Sequence, residues 1–361
     1  MSVVHQVYLA GASGLLAGEF LRLLGSHAHL NLAAAYTRAG GQSLSDLHPH
    51  LAFTGQAPVT LEFDQLGDDL LAALKARPQD STEKVVLLLG LPHGQSAPWW
   101  AAQRASLAPY AKHWVVVDLS ADFRLQAAAT YEATYGLPHA CPDELEQWAY
   151  GLPELHALPA NCQKVAVPGC FATAMQLAVL PAARAGLLDS SQSWVLQGVT
   201  GSSGSGAHAS QGTHHPHREG NFKAYGLGGH RHEAELLAPR NFEQSPSVDF
   251  TPHSGSFSRG IHMHAILPLT TETDAQSIRD LYVESFKGQP FVAVQENTPE
   301  LRQVAASNRA LIGISTRGSN LHVICVLDNT LKGGAGQAMQ CLNLVLELPQ
   351  DTALPISGLG Y

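Results

Sequence analysis

The chain has no cluster of lysines or arginines, no apolar run of membrane-spanning length and few cysteines. Each absence excludes a class of function. A net charge of −9 without a concentrated basic patch argues against nucleic acid or an acidic membrane surface as partner. No stretch reaches the roughly 18 apolar residues a spanning helix needs, and Met1 to Ala10 has neither the basic start nor the long apolar core of a signal peptide. The five cysteines, Cys141, Cys162, Cys170, Cys325 and Cys341, are odd in number, widely spaced and form no C-x-x-C pair. Neither a disulfide framework nor a zinc knuckle is therefore expected. Internal repeats and extended low-complexity segments are also absent. The expectation is a cytoplasmic protein whose partner is a small molecule.

What is present is a chain of 361 residues, 45% hydrophobic and 14% charged, long enough to exceed a single core, so two domains are expected. Val3 to Ala10 is an apolar, β-prone run, followed by Gly11-Ala12-Ser13-Gly14 and then Leu16, Phe20, Leu23 and Leu24 at helical spacing. Leu32 to Tyr36 completes a βαβ unit. Val85 to Leu89 and Trp114 to Asp118 are continuous apolar runs of the kind found in a parallel sheet covered on both faces. These runs predict a doubly wound α/β domain over residues 1–168. The texture then changes. A helix is predicted from Cys170 to about Arg184, a strand from Trp194 to Val199, and a polar loop over Thr200 to His217. A helix over Ser277 to Phe286 and strands over Ile261 to Leu267, Leu311 to Ser315 and Leu321 to Leu327 predict a mainly antiparallel sheet backed by helices, an α+β domain over 169–328. A final apolar helix within 329–361 is expected to return to the first domain.

Cys170 follows Val165-Ala166-Val167-Pro168-Gly169, where a β-like stretch is cut by Pro-Gly and a helix begins at the cysteine. The positive end of a helix favours thiolate over thiol, and thiolate is the nucleophile. Gly11-x-x-Gly14-x-x-x-Gly18 follows a strand and opens a helix, so the backbone can approach a pyrophosphate where N–H donors converge. At the end of the second strand an NAD site would carry an acidic residue. Tyr36-Thr37-Arg38 offers a hydroxyl and a guanidinium instead, suited to a 2′-phosphate, and predicts NADP.

Eight segments, in order, resemble the N-acetyl-gamma-glutamyl-phosphate reductases of arginine biosynthesis, within the wider aspartate-semialdehyde dehydrogenase superfamily. They are Gly11-Ala12-Ser13-Gly14 with Gly18-Glu19, Leu91-Pro92-His93-Gly94, Asp118 to Arg124, Tyr150 to Glu154, Pro168 to Thr173, Gly201-Ser202-Ser203-Gly204, Ala224-Tyr225-Gly226 with Gly229-His230-Arg231-His232, and Lys332 to Gln337. The chain departs from that pattern at Leu15-Leu16, at Phe171-Ala172 and in the histidine-bearing stretch His208 to Glu219.

The resemblance implies a Rossmann-type NADP-binding domain followed by an α+β substrate and dimerisation domain. It implies a homodimer or homotetramer, and NADP(H)-dependent reduction of an acyl phosphate with release of inorganic phosphate. Cys170 would be the nucleophile that forms a thioester, and an imidazole of His230-Arg231-His232 would handle the proton. In an extended segment the two histidines would share a face, while in a helix they would diverge by roughly 200°. His230 is favoured, because Glu233 to Leu237 reads as helix and His232 as its first turn; His232 stays open. Gly11, Ser13, Gly14, Leu15, Leu16, Thr37 and Arg38 are the expected cofactor residues, joined by Ser203, Gly204, Asn329 and Lys332. Arg124, near Ser120, is expected to hold the departing phosphate through its planar fork. Arg259 or Arg231 is expected on the substrate carboxylate and Ser202 on its amide. Sister reductases acting on aspartyl phosphate or an aminoadipate analogue, and an acyl group other than acetyl, stay open. Nineteen histidines include the dense groups His214-His215-Pro216-His217 and His262-x-His264, but no cysteine or carboxylate lies at matching spacing, so no metal is expected.

Overall fold

Apolar runs too short to be helices and too continuous to face water become the middle of a parallel sheet. In the computed structural model, which describes residues 3–53 and 55–360, the strands of the first sheet are β1 (His5–Ala10), β2 (Leu30–Thr37), β3 (Leu61–Glu62), β4 (Val85–Leu89), β5 (Trp114–Asp118), β6 (Ala149–Tyr150) and β7 (Lys164–Ala166), and β4 and β5 are such runs. They form a sheet in the order β3-β2-β1-β4-β5-β7-β6, with every pairing parallel. All five residues of both β4 and β5 are buried, as a sheet covered on two faces requires. The covering helices include α1 (Leu15–Leu24), α3 (Leu66–Lys75), α4 (Ser96–Leu107) and α5 (Ala128–Tyr135); a four-residue turn of helix, α2 (Leu44–Leu47), precedes His48. Helix α1 buries Ala17, Phe20, Leu21, Leu23 and Leu24, the face its periodicity marks. Leu70, Leu74, Trp100, Trp114, Phe123 and Trp148 fill one core, with Phe123 and Trp148 stacked at 3.8 Å.

The chain folds as two compact units. The first comprises residues 1–151, 158–167 and 335–354; the second comprises 152–157, 168–334 and 355–361. The second is organised by α6 (Cys170–Arg184), in which every residue from Phe171 to Ala182 is buried. A helix apolar all round belongs inside a core. Strands β8 (Trp194–Thr200), β9 (Lys223–Ala224), β10 (Val248–Ser254), β11 (Ile261–Pro268), β12 (Val292–Gln295), β13 (Ala310–Arg317) and β14 (Asn320–Leu327) form the second sheet, in the order β12-β13-β14-β11-β8-β10-β9. Helix α6 packs on β11 and β14, and on the later helices α8 (Glu233–Leu236) and α9 (Ala275–Ser285); α7 (His215–Arg218) is a short exposed turn before them. The sheet is mainly antiparallel, as expected, with two parallel pairings: β10 runs parallel to β8 and β12 parallel to β13. The sequence marks neither β10 nor β12 as a strand, because Pro252 interrupts one and the other is only four residues long. Helix α10 (Gly336–Val345) closes the first unit, against α1. No helix among the described residues is long and apolar enough to cross a membrane.

Candidate active site

Gly169 lies in extended backbone (φ −65°, ψ 147°) and Cys170 is the first residue of α6. The first turn itself holds no acidic residue and no side chain caps it, so the positive end of a fifteen-residue helix acts on the half-buried cysteine. Two glycines let neighbours close around it. A Cβ on Gly169 would lie 2.3 Å from His232 Nε2 and 2.8 Å from Glu235 Oε1, and one on Gly333 would lie 2.8 Å from Cys170 Cβ. The fully buried Glu235 carboxylate accepts the Gly169 N–H at 3.0 Å, fixing the turn that presents the cysteine. Gly333 belongs to a π-turn, Leu331–Ala335, a wide helical turn of the kind that often marks functional sites.

The His-Arg-His segment brings both imidazoles to this helix start. Their ring centroids are 4.7 Å apart, and Phe171 meets His230 at 5.7 Å and His232 at 6.3 Å. Their surroundings differ. His232 is 5% exposed and its ring fills the space left by the missing Gly169 side chain. His230 is half-buried, packed by Tyr225 and Phe250, and burial together with the neighbouring Arg231 charge lowers its pKa to about 4, so it is neutral at pH 7. The His232 backbone N–H donates to His230 Nδ1 at 3.2 Å, which leaves the neutral ring's proton on Nε2. Burial and the charge of Cys170 raise the Tyr225 phenol to about 12, so it stays a donor.

Of the remaining predicted residues of the second unit, Ser203 and Asn329 are bonded to each other and to the chain around Ser258. Ser203 Oγ donates to the Ser258 carbonyl at 2.6 Å and accepts from Asn329 Nδ2 at 2.9 Å, while Asn329 Oδ1 accepts the Gly260 N–H at 2.7 Å. A Cβ on Gly201 would lie 2.4 Å from the Ser258 carbonyl oxygen, so only glycine lets Ser202, Ser203 and Gly204 follow this path. Arg259 Nε donates to the fully buried Asp328 at 2.9 Å, and Arg231 is exposed. The Lys332 ammonium is wholly buried and paired with Glu154 at 2.5 Å.

In the first unit Gly11 has φ +75°, and a Cβ there would lie 2.2 Å from the Gly90 carbonyl oxygen, so the turn at the end of β1 needs glycine. Ser13 and Leu15 are exposed, Gly14 and Leu16 are partly so, and α1 begins with neither an acidic residue nor a side-chain cap. This uncapped N-terminus suits a pyrophosphate. Arg38 is exposed at the end of β2, whereas the buried Thr37 hydroxyl already accepts the Gly40 N–H at 3.1 Å and meets Thr60 at 3.3 Å. Ser120 is fully buried with its hydroxyl on Asp118 at 2.7 Å, and Arg124, 5% exposed, reaches the Leu119 carbonyl at 2.8 Å.

The semialdehyde dehydrogenase NAD binding domain family matches residues 6–159, and the semialdehyde dehydrogenase dimerisation domain family matches residues 170–329. The chain belongs to the semialdehyde dehydrogenase family. It is 35% identical to N-acetyl-gamma-glutamyl-phosphate reductase from Janthinobacterium, over 97% of each chain. It is also 35% identical to a protein from Ignicoccus hospitalis named for LysW-linked aminoadipate and glutamate phosphate reduction, over 98% of each. Aspartate semialdehyde dehydrogenase II from Vibrio cholerae shares the fold, with TM-score 0.66 and 17% identity over 96% of this chain and 99% of that one. Semialdehyde dehydrogenases are oxidoreductases, and the first unit is this family's nicotinamide dinucleotide domain. Sequence reasoning misses Glu235, which looks like an exposed helix acid, and the Glu154–Lys332 tie. No local signal marks either, because both carboxylates are buried by residues distant in the chain.

Proposed function

We propose that this semialdehyde dehydrogenase reduces N-acetyl-gamma-glutamyl phosphate to N-acetylglutamate semialdehyde and inorganic phosphate, with NADPH as reductant. Cys170, held as thiolate by the start of α6, attacks the acyl carbon; its C–S bond forms as the C–O bond to phosphate breaks. A nicotinamide dinucleotide held by the first unit would supply the hydride that reduces the thioester carbon. The resulting thiohemiacetal oxyanion re-forms a carbonyl, the C–S bond breaks, and the thiolate returns. His230, neutral with its proton on Nε2, donates to the oxyanion in both tetrahedral states, and the amides at the start of α6 assist. His232, shut against Gly169, holds the turn. Arg231, exposed beside His230, takes the substrate carboxylate ahead of Arg259, whose guanidinium is tied to Asp328. Exposed Arg38 selects the 2′-phosphate of NADPH. The second unit's sheet mediates a homodimer or homotetramer, in keeping with the dimerisation-domain match.

The observation that carries this reading is a cysteine at a helix start whose next residue, Phe171, packs against a neutral, tautomer-fixed imidazole. A LysW-linked aminoadipate or glutamate phosphate is the second reading, favoured by relatives of equal identity. The test is phosphate-dependent NADP+ reduction with N-acetylglutamate semialdehyde, the LysW-linked aldehydes and aspartate semialdehyde. Preference for either alternative substrate overturns the acetylglutamyl assignment. Full turnover by Cys170→Ser overturns the covalent route.

A further inference from the structure

The third glycine of the nucleotide turn, Gly18, is one turn inside α1, where such a glycine ordinarily serves close helix–strand packing. Here its neighbour is a histidine. A Cβ on Gly18 would lie 2.6 Å from His48 Nδ1 and 2.9 Å from its Cε1, so the ring lies directly on the helix backbone. From there His48, 4% exposed, sends Nε2 to the Ala12 carbonyl at 2.6 Å. As the carbonyl can only accept, Nε2 is the donor. Ala12 is fully buried, and its own N–H donates to the Tyr36 carbonyl at 2.9 Å.

We propose that His48 is a positioning residue for the nucleotide: it pins the Ala12 carbonyl and so aims the Ser13 N–H at the pyrophosphate. The link is the peptide plane. The Ala12 carbonyl and the Ser13 N–H belong to one trans unit and point in opposite directions, so holding the first inward turns the second outward. Ser13 is exposed, at the mouth of the turn whose next glycine starts α1. Without His48 the 12–13 peptide is free to rotate, and the ordering of that donor is charged against binding. Gly18 is then glycine because the histidine must reach over the helix. The inference rests on this unit holding a nicotinamide dinucleotide, whichever one that is.

The test compares His48→Asn with His48→Gln in the full-length enzyme. The glutamine amide nitrogen reaches the place of Nε2; the asparagine amide falls short of the Ala12 carbonyl. Nucleotide binding is measured directly by fluorescence titration with NADPH and, in parallel, NADH, alongside saturation kinetics. His48→Asn is expected to raise Kd about tenfold, the worth of one well-formed hydrogen bond, and KM for the nucleotide with it. Its kcat at saturating nucleotide should move by less than about twofold, and His48→Gln should recover most of the affinity. Gly18→Ala, which improves helix propensity but displaces the ring, should weaken binding like His48→Asn and serves if that variant does not fold. Wild-type Kd in His48→Asn, or in Gly18→Ala if the former is unfolded, overturns the proposal. Equal weakening in His48→Asn and His48→Gln at equal Tm does so as well. A wild-type preference for NADH would overturn the NADP reading alone, since the variant ratios are then read with NADH.

Discussion

Gly169→Ala separates the shape of the cysteine turn from its chemistry. The backbone accepts alanine, because φ −65° and ψ 147° are ordinary for any L-residue, and a smaller unfolded-state entropy would by itself favour the variant by about 0.4–1 kcal/mol. The side chain is the obstacle. Its Cβ would lie 2.3 Å from His232 Nε2, 2.5 Å from its Cδ2 and 2.8 Å from Glu235 Oε1, where ordinary contact begins at 3.4 Å. Either the imidazole retreats by about 1 Å or the Gly169–Cys170 turn does, and overpacking of this kind costs about 1–3 kcal/mol. That corresponds to a fall in Tm of roughly 2–12 °C, at about 2–4 °C per kcal/mol for a unit of this size. A misplacement of about 1 Å in a reacting group lowers the rate by roughly 100-fold. The assays are thermal melting and kcat under saturating nucleotide and substrate. Gly228→Ala, in the same loop with ordinary φ and nothing within 4 Å, should match wild type in both. Gly136→Ala, at φ +69° with no close neighbour, should lose about 1 kcal/mol of stability and no kcat. A Gly169→Ala enzyme with wild-type kcat would refute the reasoning that His232 and Glu235 hold the reacting cysteine in place.

Lys332→Met leaves the Glu154 carboxylate buried without its cation and should cost about 3–5 kcal/mol by denaturant titration; Lys332→Met with Glu154→Leu should recover most of that, and strict additivity of the two single losses would argue against the tie. Arg38→Ser should raise KM for NADPH by about tenfold while leaving that for NADH unchanged, and equal changes for both nucleotides would remove the 2′-phosphate role. Stability should fall as pH drops from 7 to 5. Burial lowers the imidazoles of His5, His156 and His230 from 6.5 to about 4, so each takes up a proton on unfolding in that interval. Asp118 opposes them: burial and then Asp122 raise it from 3.8 to about 7, so its folded carboxyl holds a proton that the unfolded chain releases. Three groups outweigh one, and a Tm that stays level or rises on acidification would contradict the burial of these histidines.

Periodicity made much of the first unit legible. β1, α1, β2, β4 and β5 lie where apolar runs and helical spacing put them, since a strand buried on two faces must be continuously apolar. Strand β11 alternates in burial as it does in sequence, with Ile261, Met263 and Ala265 buried and His262 and His264 half-exposed. The parallel partners β10 and β12 were not legible, because pairing direction is set by chain return and leaves no local mark. The site divides in the same way. A Pro-Gly break before a helix-forming run is local, so it fixed Cys170 at a helix start.

The chemistry on offer was legible residue by residue: a thiol on a helix terminus, a glycine turn after a first strand, and two histidines two residues apart. How that chemistry is held came from folding. It shut His232 against Gly169 and left His230 half-open, spent Lys332 on Glu154, closed Ser120 and Arg124 into the interior, and laid His48 over Gly18. The physical reason is common to all of these. Burial and hydrogen-bond satisfaction depend on neighbours far away in the chain, and a polar group's availability is whatever those neighbours leave.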